Sequence, residues 1–417
     1  MKKQLPLTLW LVGVIFFAGL IALPGPAWAL DPQVEALIKE VQALKTRVAD
    51  LEKKLVDAQC ASDEANKAAQ EARQTSANSL KVSQELSKTV KAQPEGLLSE
   101  AAKRINVYGA VEVEASYQRY RPKTGQDTNT SDITLSTAEI FFEANINEWT
   151  RGLIHLLYEQ GETDPLNVDE GFILLGQTPD VPYYLLAGRM YPSIGLFQTY
   201  MVSDPITQEV FETQATAAQV GWAQDWFNVG VGGYNAAVHE NSDDPDYMIN
   251  TWYTRLQFDA PEGALGEAVD VNAGVAYTNN IAGGNLSEEV PGERIHELVG
   301  GWSVMVDGRY HWVAMTAEYL AALDDFQAGE LYFIEGRAAR PEAWNFEVAF
   351  LPWEDWTFAC RYEGGSDLGT LMPERQYGAT VSWAFLTDTT LSLEYLHGEY
   401  DNDDERDLIT TQLAVGF

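Results

Sequence analysis

Apolar and polar positions follow two different periods along this chain. In the first segment, apolar residues recur at alternating steps of three and four, which is typical of a coiled-coil seam. From Ile105 onwards they alternate with polar residues one by one, in short segments separated by Gly, Pro, Asn and Asp, which is typical of β-strands. The pattern therefore predicts a helical segment over residues 30–93, a linker over 94–104 and an all-β domain over 105–417.

The helical segment has a seam that one helix cannot bury. Its larger apolar positions are Val34, Leu37, Val41, Leu44, Val48, Leu51 and Leu55. Smaller residues continue the register up to Pro94, so an unbroken helix would be about 90 Å long. We therefore expect a periplasmic coiled coil and a homo-oligomer, whose size the seam does not determine. A lone, partly frayed helix is the alternative.

An export signal precedes this segment. Lys2 and Lys3 are followed by an apolar run and then by Ala27-Trp28-Ala29, which has small residues where a signal peptidase cleaves. The sequence predicts a signal peptide over residues 1–29, with an uncleaved membrane anchor as the alternative because the apolar run is long.

The alternating segments fit a membrane barrel better than a soluble sandwich. They run about ten residues, their connections are alternately short and long, and aromatic residues gather near their ends. These three features are typical of outer-membrane barrels. Counting through the turns predicts sixteen antiparallel strands and eight outer loops around a polar, water-filled lumen. The stretch Gly329–Glu342 is assigned to the sixth outer loop or to an upper extension of a strand.

Composition excludes several other classes. A formal net charge of −35 would repel a phosphate backbone, so we expect no nucleic-acid partner. The two cysteines and five histidines have no metal-ligand spacing, so no metal and no cofactor is expected. A barrel lipase is the competing enzymatic class, but the chain contains no Gly-x-Ser-x-Gly motif, and we expect no enzyme.

The third outer connection, Met190–Gln214, differs from the others. It is long and rich in apolar residues, including Ile194, Leu196, Phe197 and Phe211. Such a loop needs a surface to pack on, and the inside of the barrel offers one. We expect the loop to fold into the lumen as a constriction; a subunit interface or a lid over the mouth is the alternative.

Several stretches resemble one family of outer-membrane channels. The sequence "LLAGRMYPSIGLFQTYMVSDPITQEVFETQATAAQVGW", together with "RPEAWNFEVAF" and "MPERQYGATVSW", resembles the LbtU-type siderophore porins of Gram-negative bacteria. The resemblance covers nearly the whole mature chain, although "PSIGLF" stands where the family usually has a Pro-Phe-Gly-like step. It implies a trimer, contact with outer-membrane lipid and lipopolysaccharide, and TonB-independent uptake of iron–siderophore complexes. A general diffusion porin for small solutes is the alternative.

The alternation also predicts which charged residues face the lumen. Arg189, Arg255 and Arg361 form the predicted basic side, and Asp204, Glu209 and Glu212 of the third connection form the acidic side. The other predicted lumen-facing residues are Glu112, Glu143, His155 and Glu347. The excess of inward glutamate predicts a mild preference for cationic and neutral solutes.

Two further expectations concern the ends of the mature chain. Phe417 closes an alternating strand and is expected to face lipid at the periplasmic rim, where a terminal aromatic residue resembles an outer-membrane assembly signal. Basic residues of the helical segment, such as Lys39 and Lys45, are candidates for contact with peptidoglycan. The segment would then tether the outer membrane to the cell wall.

Overall fold

The computed structural model describes residues 104–417, apart from 162, 164, 242–247, 262 and 267. The predicted signal peptide, the coiled coil and all but the last residue of the linker lie outside the described residues.

Within this range the chain forms one closed antiparallel barrel of sixteen strands, as the alternation predicts. The barrel strands are β1 (Ile105–Arg121), β2 (Thr128–Asn147), β3 (Thr150–Tyr158), β4 (Asn167–Thr178), β5 (Val181–Met190), β6 (Ala215–Gln224), β7 (Phe227–Tyr234), β9 (Thr251–Asp259), β10 (Val269–Thr278), β12 (Gly301–Tyr310), β13 (Val313–Ala322), β14 (Glu342–Trp353), β15 (Trp356–Ser366), β16 (Arg375–Leu386), β17 (Thr389–Glu399) and β18 (Glu405–Gly416).

Pairing of the first strand with the last closes the barrel. β1 and β18 are in register from Ala110 opposite Gly416 to Arg121 opposite Glu405. Phe417 continues this ladder, because its backbone and that of Gly109 exchange two hydrogen bonds of 3.0 Å. No barrel strand is left with an unpaired edge in the described sheet, which removes the aggregation hazard of an open edge.

Connections alternate between short turns at one end of the barrel and long loops at the other. The loops include two short strands, β8 (His239–Glu240) and β11 (Arg294–Ile295), which pair in parallel. Gly329–Glu342 lies almost entirely in the sixth loop, with only Glu342 in β14 and an isolated bridge joining Phe326 to Ala339. The loop assignment of this stretch is therefore correct.

The outer face of the barrel is apolar and flanked by aromatic residues. Exposed side chains such as Val220, Leu256 and Leu393 alternate with inward-facing polar ones. Exposed aromatic residues near the short turns include Trp149, Tyr183, Trp312, Trp353 and Phe417, and those towards the long loops include Trp252, Trp302, Tyr362, Tyr377 and Tyr395. An apolar band between two aromatic girdles is the pattern that a lipid bilayer requires. None of the helices in the described residues is long and apolar enough to cross a membrane.

The largest apolar core lies inside the barrel, towards the long loops. Ile206, Phe211, Leu286 and Phe326, from three different loops, are each at most 1% exposed and belong to one cluster of buried residues. Apolar loop residues thus pack on one another and on the inner wall, which orders the loops that surround the lumen.

Candidate functional site

The third connection, which we call loop L3 (residues 191–214), lies against the inner wall of the barrel. Buried glutamates on neighbouring strands accept hydrogen bonds from its backbone. Glu318 of β13 accepts from the amides of Leu196 at 2.6 Å and Phe197 at 3.3 Å. Because these donors belong to the loop backbone, the contact fixes the path of the loop rather than a single side chain.

The same kind of contact continues around the wall. Glu347 of β14 accepts from the hydroxyl of Thr199 at 2.8 Å and from the amide of Tyr200. Glu394 of β17 accepts from the amide of Val202 at 2.7 Å. Hydrogen bonds to charged groups contribute about 1.5–3 kcal/mol each, so together these contacts hold L3 firmly.

Arg361 of β15 supplies the matching donors. Its guanidinium donates to the carbonyl oxygen of Ser203 at 2.8 Å and to that of Asp204 at 3.2 Å. It also lies 2.9 Å from a carboxylate oxygen of Glu363 and 4.0 Å from one of Glu347, and all three side chains are fully buried. Arg361 therefore neutralises buried carboxylates and binds the loop at the same time.

A short helix, α1 (Ile206–Phe211), brings the loop back across the wall. Its first amide, that of Ile206, donates to Glu363 at 2.7 Å. The helix buries Ile206, Thr207, Val210 and Phe211. From the fifth long loop, Asn285 donates its backbone amide to the carbonyl of Glu212 at 2.8 Å and covers the end of the helix.

A second polar cluster holds the two ends of L3. The Asp169 side chain of β4 accepts hydrogen bonds from the Tyr191 hydroxyl at 3.0 Å and from the side-chain amide of Gln214 at 2.6 Å. His155 lies between Asp169, at 3.0 Å, and Glu139, at 2.9 Å. Arg189 donates from Nε to the carbonyl of Asp169 at 3.0 Å, and a second nitrogen of its guanidinium donates to Gln214. The loop is thus bound at both ends and along its length.

The part of the inner wall that L3 leaves uncovered is acidic. Asp204 and Glu209 are exposed on the loop, and Glu212 is half-buried. Burial, together with the negative charges of Asp204 and Asp169, raises the pKa of Glu212 to about 8. Asp204 also interacts electrostatically with Glu112 of β1, so carboxylates of the loop and of the wall come together in this part of the lumen.

A cavity of about 380 Å³ lies between L3 and the wall formed by β9, β10 and β12. Its polar lining includes Tyr191, Ser193, Gln208, Glu212, Thr213, Arg255 and Gln257. Arg255 donates to the hydroxyl of Ser193 at 2.6 Å, but its buried Nε has no hydrogen-bond partner. Arg255 forms no ion pair with any described residue.

The predicted lumen residues fall into three groups. Asp204, Glu209, Glu212 and Glu112 surround the uncovered passage, and Arg255 lines the cavity beside it. Glu143 lies apart, towards the short-turn end of the barrel, where Asn106 donates to it at 3.4 Å. The third group, Arg189, His155, Glu347 and Arg361, is occupied by the contacts that hold L3. The predicted basic side is therefore not an open face: Arg361 is buried because L3 lies over it.

Sequence reasoning overlooked several residues that hold the loop, among them Glu363, Asp169 and Gln214. A signal existed for Glu363, because it stands two positions after Arg361 and so shares its face of β15. Asp169 gives no such signal, since a register shift between His155 and Leu156 displaces the pairing around it. The described residues contain no group of three or more His, Cys, Asp or Glu arranged to hold a metal ion.

The chain has distant relatives in sequence and in structure. No family model matches it. A UPF0422 protein of Coxiella burnetii is 24% identical over 313 residues, which are 70% of this chain and 64% of the relative. The match thus spans less than two thirds of that relative's length.

Two solved outer-membrane channels have a similar architecture. OprB of Pseudomonas putida aligns with a TM-score of 0.53 and 8% identity, covering 77% of this chain and 96% of that one. The channel DcaP of Acinetobacter baumannii aligns with a TM-score of 0.50 and 12% identity, covering 75% and 97%. At such low identity these likenesses concern the fold alone, and they show that the described part of this chain has the barrel fold of outer-membrane porins.

Proposed function

We propose that this protein is an outer-membrane porin, a passive channel for small hydrophilic solutes with a preference for cations and neutral molecules. The observation that carries the proposal is the position of L3, which buried carboxylates hold inside the barrel while an acidic passage stays uncovered beside it. The apolar outer face and its aromatic girdles support a location in the outer membrane.

The charges around the passage support the preference for cations. Facing carboxylates in a narrow, low-dielectric channel concentrate cations and repel anions. Two of the three arginines of the predicted basic side are engaged elsewhere: Arg361 binds the loop backbone, and Arg189 binds Asp169 and Gln214.

Uptake of iron–siderophore complexes is a more specific proposal about the substrate of this porin, and it rests on the sequence resemblance. An acidic passage favours neutral or cationic complexes over anionic ones, so this charge restricts the class of siderophore. Trimer formation and contact with lipopolysaccharide belong to the same proposal. The cell-wall tether remains a separate proposal about residues 30–93, which lie outside the described residues.

Reconstitution tests the channel proposal. Purified full-length protein should give stepwise conductance in a planar bilayer, and liposomes containing it should swell in solutions of small sugars. The matched control is the same protein heat-denatured before reconstitution. Absence of conductance and of swelling would contradict the porin function.

Uptake of labelled ferric siderophores by cells that carry or lack the gene then separates the finer proposal from general diffusion. Reduced uptake in the deletion strain supports siderophore transport. Unchanged uptake combined with normal conductance leaves a general porin.

A further inference from the structure

The cavity between L3 and the wall has the properties of a binding site rather than of a packing gap. Its volume of about 380 Å³ lies within the range of small-molecule sites, ~300–1,000 Å³. Gly274 and Met305 both contribute to its lining, and the Met305 side chain packs over Gly274, 3.3 Å from the place that a Cβ would take. Space of this size beside a solute passage is accessible to the solutes that enter the channel.

A guanidinium without an ion pair to any described residue lines this space. The Nε–H of Arg255 is buried and has no partner, although one terminal nitrogen of the same guanidinium donates to Ser193 at 2.6 Å. A buried donor without a partner costs about 1–3 kcal/mol, and more when it is charged. A ligand carboxylate bound by the terminal nitrogens of this guanidinium would stabilise its charge.

Another part of the cavity lining, contributed by L3, is acidic. Glu212 lines the same space from the returning arm of L3, and the carboxylates of Asp204, Asp169 and Glu209 add negative potential there. These charges and burial raise the pKa of Glu212, and an ammonium group bound beside it would lower that pKa and stabilise the charged carboxylate, whereas a carboxylate is favoured at the Arg255 side. The cavity therefore presents opposite charges to one small molecule.

The backbone of L3 is strained at the same place. Phe197 has a φ of 53°, in the left-handed region that bulky residues rarely adopt. A Cβ added to Gly195 would lie 2.2 Å from the Phe197 ring, so the glycine makes room for this ring in the cavity lining. Such conformations cost on the order of 1–3 kcal/mol and are concentrated at functional sites.

From these contacts we infer that the cavity binds a small zwitterionic solute of the amino-acid type, with its carboxylate on Arg255 and its ammonium group at Glu212. The inference rests on the proposed porin function and names a substrate class for it. Phe197 and Leu196 would pack against the aliphatic part of the solute.

The experiment measures how strongly each of three solutes interrupts the single-channel ion current when it binds. The solutes are glutamine, 4-aminobutanamide, which lacks the carboxylate, and glutaramic acid, which lacks the amine. Glutamine is expected to block single-channel current at a concentration at least tenfold lower than either analogue. Arg255→Gln should weaken the block by glutamine at least tenfold, whereas Arg309→Gln, a change in an exposed inward-facing arginine outside the cavity lining, should leave it unchanged.

The outcomes separate this inference from the function on which it rests. Equal block by all three solutes, or undiminished block in Arg255→Gln, would overturn the zwitterion site while the porin function stands. If Arg255→Gln does not assemble, the comparison of the three solutes on the wild-type channel decides alone. Absence of conductance in the wild type would overturn the proposed function itself.

Discussion

Inward-facing glutamates behave differently on the two sides of the barrel interior. On the wall that L3 covers, Glu347 and Glu394 are at most 1% exposed and bind loop backbone. On the uncovered wall, Glu112 and Glu114 remain partly exposed, and both accept hydrogen bonds from the side chain of Gln412. One residue type on one face of one barrel therefore serves as a structural anchor or as part of the solute passage, depending on whether the loop lies over it.

We expect the largest loss of stability from a change at Arg361, the only buried cation described beside Glu347 and Glu363. Arg361→Met leaves Glu347 and Glu363 buried without a counter-ion and removes the donors that hold Ser203. We expect the free energy of unfolding to fall by about 3–5 kcal/mol, because breaking a buried pair on one side leaves an uncompensated charge. Urea unfolding in lipid vesicles measures this change.

The control for that variant is Arg309→Met, which removes an exposed arginine from the same inner face. It should change stability by less than about 0.5 kcal/mol. Equal losses in the two variants would show that Arg361 does not hold L3.

A second variant compares the two sides directly. Glu394→Gln removes the charge that accepts from Val202 and Ser203, and we expect a loss of about 1.5–3 kcal/mol together with noisier, larger conductance steps as L3 loosens. Glu114→Gln, on the uncovered wall, should leave stability nearly unchanged. The distinction between anchor and passage fails if the two substitutions destabilise the barrel equally.

The barrel was largely predictable from the sequence, whereas the division of its interior was not. Alternation with period two assigns Glu347, Arg361 and Glu112 to the inner face, because successive side chains point to opposite sides of a sheet. It does not show which of them L3 covers, since that depends on contacts between residues such as Tyr200 and Glu347 that lie 147 positions apart. The apolar composition of L3 indicated that it packs on something, but not on which strands.

Selectivity should respond to the exposed carboxylates of the passage. Asp204→Asn removes one charge that interacts with Glu112, and we expect the cation-to-anion permeability ratio to fall about twofold to fivefold, in keeping with an interaction of about 1 kcal/mol in water. Reversal potentials in a KCl gradient measure the ratio. Glu143→Gln, towards the short-turn end of the barrel, is the matched control and should have a smaller effect; a reversed order would contradict the assignment.

The smallest expected effect is a pH dependence. Because the pKa of Glu212 is raised to about 8, this group is neutral below that pH and charged above it. Cation selectivity should therefore increase modestly between pH 7 and pH 9. The increase should be absent in Glu212→Gln, and a wild-type profile that is flat over this range would contradict the role of Glu212.

The sign of the reversal potential of the wild-type channel in a KCl gradient tests the central claim most directly. The buried arginines and the uncovered carboxylates together predict a conducting, cation-selective channel at pH 7. An anion-selective channel would contradict the claim that L3 leaves an acidic passage, and a protein without conductance would contradict the channel itself.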